Sequence, residues 1–389
     1  MHPQVYLDHN ATTPVRPEAV AAAATAFTVA GNPSSIHRAG RTARRLIEDA
    51  REQVALLVDV DPSWVVFTSG GTEANALALT ATQPASVLVS AVEHASVREA
   101  AAVAGRLPVD GEGSLDLPAA ASLLQSMPQR SLVSVMLANN ETGVVQPVAA
   151  VAEIARTYGA IVHCDAVQAA GKMSISLRTL GVHLLSLSAH KLGGPPGVGA
   201  LVVDPALPFT PLLRGGGQER RRRAGTENLP GIAGFGAAAA VAQHLTDTNR
   251  LARLRDRIEH AITTRCPTAR IFGRDAPRLP NTSCIAMPGV DAETQVIGFD
   301  LAGIAVSAGA ACSSGKVGTS HVLQAMGVGE DLAGCSVRVS LGWTTTDDDA
   351  DRFVAVWQDV YHRSNRTGRT GLPLATDARP KLATIAVSS

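Results

Sequence analysis

Asp165 and Lys191 stand in one stretch, HCDAVQAAGKMSISLRTLGVHLLSLSAHKLGGPPGVG, which runs from His163 to Gly199. Each follows an apolar run, Gly159 to His163 for the acid and Leu184 to Ser188 for the lysine. Short apolar runs bounded by turn residues read as buried strands, here with a helix-forming or irregular segment between them. That predicts both side chains at strand ends, on one edge of a parallel sheet, where open α/β sheets bind ligands. A lysine amine there can form a Schiff base with an aldehyde, and a carboxylate can hold a pyridine nitrogen protonated. The pair therefore fits pyridoxal 5'-phosphate. An ordinary buried ion pair at a strand end would leave the same trace. The chain has four lysines, Lys172, Lys191, Lys316 and Lys381, and only Lys191 lies between an apolar strand and a glycine-rich turn.

Other groups suit the same chemistry. Ser69-Gly70-Gly71-Thr72-Glu73-Ala74-Asn75 follows the apolar run Trp64 to Thr68 and opens an apolar helix. A glycine-rich turn at a helix start offers backbone N–H groups and the positive end of the helix dipole to a phosphate. The Thr72 hydroxyl adds a donor, although a plain strand–helix turn has the same composition. His94 ends the strand Val87 to Val92, where an imidazole can stack on a planar ring, cap a helix or face solvent. Asn139 to Gly143 clusters side-chain amides after the strand Leu132 to Ala138. Arg338 lies in Val337 to Leu341, a strand-like alternation. Cys312 lies in the loop Ala308 to Ser320, whose glycines and small residues would let a thiol travel.

The elements that must position these groups alternate. Helices are expected at about Glu18 to Val29, Ala43 to Leu57, Ala149 to Tyr158 and Gly231 to Leu245, followed by an amphipathic one carrying Leu251, Leu254, Ile258 and Ile262. Alternating strands and helices predict a mostly parallel, helix-covered sheet. Asn281 to Met287 starts a second, smaller sheet, and Asp347 to Tyr361 is a closing helix. The expected division is a large domain over 15–255, a small one from 1–14 plus 256–362, and a mobile tail over 363–389.

Composition narrows the class. The 389 residues carry a formal net charge of +0, which gives no reason to expect nucleic acid or an anionic membrane as partner. The run Arg220 to Arg223 reads as a solvated patch or a subunit edge near a phosphate. Five scattered cysteines without a CxxC pair argue against a disulfide framework and against a metal site. The start MHPQVYLDHN has no charged and apolar leader pattern, and no apolar run is long enough to span a bilayer, so a cytoplasmic protein is expected.

Taken together, the motifs YLDHNATTPV, GNPSSIH, FTSGGTEAN, EHASV, NNETGVVQP, HCDAVQAAGK, SAHKLGGPPGVGAL, GGGQERRRRAGTEN, SAGAACSSG, SHVL and VRVSLG stand in the order of a known family. From Val5 to Tyr361 the chain resembles the NifS/IscS-type cysteine desulfurases, which are fold-type I, class V aminotransferase-like enzymes. The resemblance implies an α/β large domain with a smaller α+β domain. It implies that Lys191 holds pyridoxal 5'-phosphate, that Asp165 pairs with the ring nitrogen and that His94 stacks on the ring. Gln168 would contact the ring oxygen, and Gly71, Thr72, Ser188 and His190 would hold the phosphate. Thr226 would complete the phosphate site of a neighbouring subunit, making a homodimer. Asn140 and Arg338 would bind the carboxylate of L-cysteine, a role that suits a guanidinium. Cys312 would accept the sulfur as a persulfide and pass it to an acceptor protein. Pro196 and Ala189 depart from the commonest family pattern, but neither position supplies a chemical group.

Other class V activities, such as selenocysteine lyase, aminotransferase or epimerase, would not need a thiol on a glycine-rich loop. A non-catalytic subunit of a sulfur-transfer assembly would not need Lys191, Asp165, His94 and Cys312 together.

Overall fold

The apolar runs before Asp165 and Lys191 become neighbouring parallel strands, Ile161–Asp165 and Leu184–Ser188, with Asp165 opposite Ser186 in the ladder. This computed structural model describes residues 4–245, 247–309 and 319–367, the last four of these without side chains. The two strands lie inside a seven-stranded sheet. Its order is Val65–Thr68, Gly199–Val203, Leu184–Ser188, Ile161–Asp165, Leu132–Met136, Val87–Ser90 and Gly105–Leu107. Gly199–Val203 runs antiparallel to both of its neighbours, and the other pairs in the sheet are parallel.

Side chains sort onto the two faces with a period of two, as the pleat requires. Val65, Phe67, Leu185 and Leu187 enter the larger core, with Arg38–Leu57, Val148–Thr157 and Leu229–Ala242 packed on that face. Val66, Leu184, Leu201 and Val203 face the opposite way, onto the helix Gly71–Ala81. Because both faces are covered, the central strands read as continuous apolar runs rather than as alternation.

A second, antiparallel sheet orders Ser307–Ala308, Ser336–Ser340, Thr282–Ala286 and Arg270–Phe272. Its own core contains Phe299, Phe353 and Trp357 and is closed by Thr248–Arg265 and Asp347–Thr367. The closing helix thus continues beyond Tyr361 to Thr367, into the stretch expected as a mobile tail. The rest of that tail lies outside the described residues. Val5–Tyr6 pairs with Ile304–Ala305, so the chain begins beside the second sheet. The turn that follows crosses to the larger body: the Thr13 amide donates to the His190 carbonyl at 3.0 Å, and the Arg16 amide to the Gly193 carbonyl at 2.8 Å. Among the described residues, no helix is long and apolar enough to cross a membrane.

Candidate active site

Strand ends, a helix start and the crossing turn enclose a cavity of about 350 Å³. Gly71, Thr72, His94, Asn140, Asp165, Gln168, Ser188, His190, Lys191 and Arg338 all line it. Ten of the twelve residues singled out in the sequence therefore meet at one place, although they come from distant parts of the chain.

Asp165 is buried at its strand end, 5% exposed. Its Oδ1 accepts from the Val167 amide at 2.9 Å and its Oδ2 from the Asn75 side-chain amide at 2.8 Å. The same Asn75 nitrogen donates to Ser96 Oγ at 2.9 Å, and Ser96 Oγ lies 2.8 Å from His94 Nδ1. The Ser96 backbone amide also donates to His94 Nδ1, at 3.1 Å, so the neutral imidazole carries its proton on Nε2. Burial lowers the pKa of His94; Asp165 opposes this, while Lys191 and Arg338 add to it. The result is a neutral ring tied through Ser96 and Asn75 to a carboxylate.

Lys191 ends the short 3-10 turn Ala189–Lys191 that follows its strand. Its Nζ donates to the carbonyls of Asn10 at 2.6 Å and Ala11 at 2.7 Å. The Asn10 carbonyl also accepts from Gln168 Nε2 at 2.9 Å. The side chain of Asn10 reaches Thr282 Oγ1 at 2.9 Å and the Asn140 carbonyl at 3.2 Å, and its backbone amide donates to Ser340 Oγ at 2.9 Å. One asparagine thus ties the lysine turn to the second sheet.

At the other end of the cavity, the helix Gly71–Ala81 begins without a side-chain cap. The amides of a first helical turn have no partner within the helix. Gly70 before it has φ 157° and ψ −178°, a conformation essentially reserved for glycine. A Cβ on Gly71 would come within 3.0 Å of Val167 and 3.5 Å of Ser188, so the turn packs directly on the strand that leads to Lys191. His190 Nδ1 lies 3.2 Å from Thr12 Oγ1, and burial pushes its pKa down to about 4, with Lys191 and Lys172 adding to the shift.

Arg338, 3% exposed, reaches the cavity from the second sheet. Its Nη2 donates to Asp8 Oδ1 at 2.8 Å and its Nη1 to the Asn140 carbonyl at 3.2 Å. Its Nε is buried without a hydrogen-bond partner among the described residues.

The other two expected residues are Thr226 and Cys312. Thr226 is exposed and lines a separate cavity of about 110 Å³ with Ser69, Gly197 and Arg223. Cys312 lies outside the described residues. Asn10, Asp8, Asn75 and Ser96 had no assigned role in the sequence reading, although the quoted motifs YLDHNATTPV, FTSGGTEAN and EHASV contain them.

A family model described as aminotransferase class-V matches residues 5–353. A cysteine desulfurase of Cereibacter sphaeroides is 46% identical over 368 residues, covering 91% of this chain and 94% of that protein. Among solved structures, a NifS-like protein from Rickettsia africae superposes with a TM-score of 0.86 at 36% identity, over 92% of this chain and 99% of that one. A structure of SspA in complex with cysteine gives 0.76 at 26% identity, over 88% of this chain and 99% of that one. The architecture is accordingly the α/β fold-type I arrangement, with a mostly parallel central sheet. The chain belongs to the aminotransferase class-V family and, within it, to the NifS/IscS-type cysteine desulfurases.

Proposed function

We propose that this enzyme is a cysteine desulfurase that uses pyridoxal 5'-phosphate to convert L-cysteine to L-alanine and collects the sulfur on Cys312. The observation that carries this reading is the placing of Lys191, Asp165 and Arg338 around one cavity. They supply an amine, a carboxylate and a carboxylate-binding guanidinium.

The residues present fit the cofactor. The uncapped start of Gly71–Ala81 suits a phosphate, with Thr72, Ser188 and His190 beside it. Asp165 suits a protonated pyridine nitrogen, Gln168 a ring oxygen and His94 the ring face. When bound, pyridoxal 5'-phosphate supplies an electrophilic aldehyde and a ring able to accept the electrons of a broken Cα–H bond.

The protein's own groups do the rest. Lys191 would hold the cofactor, and its Nζ, when free, would take the Cα proton of the substrate. Asp165 would keep a proton on the ring nitrogen. Arg338 and Asn140 hold the substrate carboxylate, for which the guanidinium still offers Nε. The Cys312 thiolate then attacks the substrate sulfur. The carbon–sulfur bond breaks, a sulfur–sulfur bond forms, and the organic product leaves as alanine. Either His94 or the substrate thiolate can accept the Cys312 proton.

Thr226 is assigned to the site of a second copy of this chain. In support, its loop is held to Leu213 by the Ala224 amide at 3.2 Å, and Leu212, Leu213, Phe27 and Ile36 are apolar and exposed. The seven-stranded sheet and its helices would form the large domain over 15–255, with 1–14 and 256–362 forming the small one. The enzyme would work in the cytoplasm, handing sulfur to a separate acceptor protein. The unpaired thiols of Cys164, Cys266, Cys284 and Cys335 support a reducing compartment.

Borohydride reduction of the purified holoenzyme followed by peptide mapping tests the reading. The cofactor label is expected on Lys191, and a label on Lys172, Lys316 or Lys381 would overturn it.

A further inference from the structure

Lys172 is a charged side chain that the reaction described above does not use. It is partly buried, and its Nζ donates to Gln168 Oε1 at 2.9 Å and Asn10 Oδ1 at 3.2 Å. Both acceptors are neutral amide oxygens. The charges that act on it, Lys191 and Arg338, are positive, and it acts in turn on the imidazoles of His9 and His190. Among the described residues no carboxylate pairs with it, and withdrawing a cation from water without one is costly, so its placement calls for a reason.

The hydrogen bonds supply one. An ammonium can only donate, and a backbone carbonyl can only accept. Gln168 meets Lys172 through Oε1 and the Asn10 carbonyl through Nε2. Turning the amide over would set donor against donor at Lys172 and acceptor against acceptor at Asn10. The two partners therefore fix one orientation of the amide, and Gln168 lines the cavity in that orientation. Its second Nε2–H remains to donate, as a ring oxygen would require. Asn10 alone would not lock the amide so firmly, because its carbonyl also receives Lys191.

We propose that Lys172 is a positioning residue that orients the Gln168 amide so that it donates to the ring oxygen of the bound cofactor. This rests on the assignment of Gln168 to that oxygen. Lys172 also places a second positive charge in the neighbourhood of Lys191, and a like charge disfavours protonation there. Burial, together with Lys191 and Arg338, brings the pKa of Lys172 itself down to about 7, so the donor-only ammonium that fixes the amide is the form present below that pH.

The test is a double-mutant cycle on the holoenzyme, with Lys172→Met, Gln168→Ala and the pair. The readouts are the rate of cofactor release into an excess of trapping apoprotein and the pH titration of the cofactor absorbance. Lys172→Met is expected to speed release roughly tenfold and to raise the titration midpoint by roughly one pH unit. The double variant should release no faster than Gln168→Ala alone, since Lys172 acts through Gln168. Lys172→Arg should restore the midpoint. Unchanged release in Lys172→Met, or effects that multiply in the double variant, would overturn the proposal. If Lys172→Met does not fold, Lys172→Gln replaces it under the same criteria. A wild-type protein that takes up no pyridoxal 5'-phosphate would sink the functional reading itself. Wild-type uptake with an indifferent Lys172 variant would sink only this inference.

Discussion

Arg338 donates from Nη2 to Asp8 Oδ1 at 2.8 Å, so a guanidinium from the second sheet is held by the turn near the start of the chain. That leaves Nε as this side chain's buried donor without a partner among the described residues. The first strand brings that turn to the arginine. Val5–Tyr6 pairs with Ile304–Ala305 and delivers Asp8 to the arginine.

Substrate binding should depend on both members of this pair. Arg338→Ala is expected to raise the KM for cysteine roughly tenfold to several hundredfold, as for a lost charge-assisted pair, with normal cofactor absorbance. Asp8→Ala leaves the charge but loosens its geometry, and should raise KM by a smaller factor, about threefold to tenfold. Steady-state alanine production checks both, and an unchanged KM in Arg338→Ala would reject the role.

Glu141 gives a pH signature of stability. It is buried, accepts from Ser320 Oγ at 2.5 Å, and is pushed by burial up to about 7, against the lowering effect of Ser320, Arg338 and Arg98. An unfolded glutamate titrates near 4.3. Between those values the folded state binds more protons than the unfolded one, so this group's contribution to stability falls as pH rises from about 4.3 to about 7. Glu141→Gln removes the slope. Its stability relative to wild type should therefore rise across that window by an amount on the order of 2–3 kcal/mol. Urea denaturation at several pH values measures the difference, and a difference independent of pH would contradict the assignment.

The central sheet was legible because its strands are buried on both faces and stand as apolar blocks between turn residues. Leu184–Ser188 falls where the sequence placed it, and Asp165 and Lys191 follow from it. The helix Arg38–Leu57 shows its apolar face at Ala43, Ile47, Ala50 and Val54, but Arg51 is buried on it too. Arg51 pairs with Glu219, which has φ 45° and lies 168 positions away. No periodicity announces such a partner.

Asn10 and Asn75 were illegible for a related reason. A turn asparagine and a helix asparagine look ordinary in sequence, and their meaning comes from chain crossings that bring Lys191, Thr282 and Asp165 to them. Arg338 was read as one face of a strand, whereas its hold on Asp8 depends on the pairing of the first strand. The closing helix was cut short at Tyr361 because the residues beyond it, His362 to Thr367, are polar and carry no apolar periodicity.

In the proposed reaction, sulfur moves from cysteine to Cys312. The other thiols are poor candidates. Cys164 and Cys284 are fully buried, and burial raises the pKa of each, which suppresses the reactive thiolate. Cys266 is raised by burial as well. The direct measurement is mass spectrometry of tryptic peptides after incubating the holoenzyme with cysteine, paired with an alanine assay of Cys312→Ser. An added sulfur of about 32 Da is expected on the Cys312 peptide, and the serine variant is expected to keep its cofactor and its spectral response to cysteine but stop multiple turnover. An adduct on Cys164 or Cys335, or full alanine turnover by Cys312→Ser, would contradict that reaction and point to a lyase that releases sulfur directly.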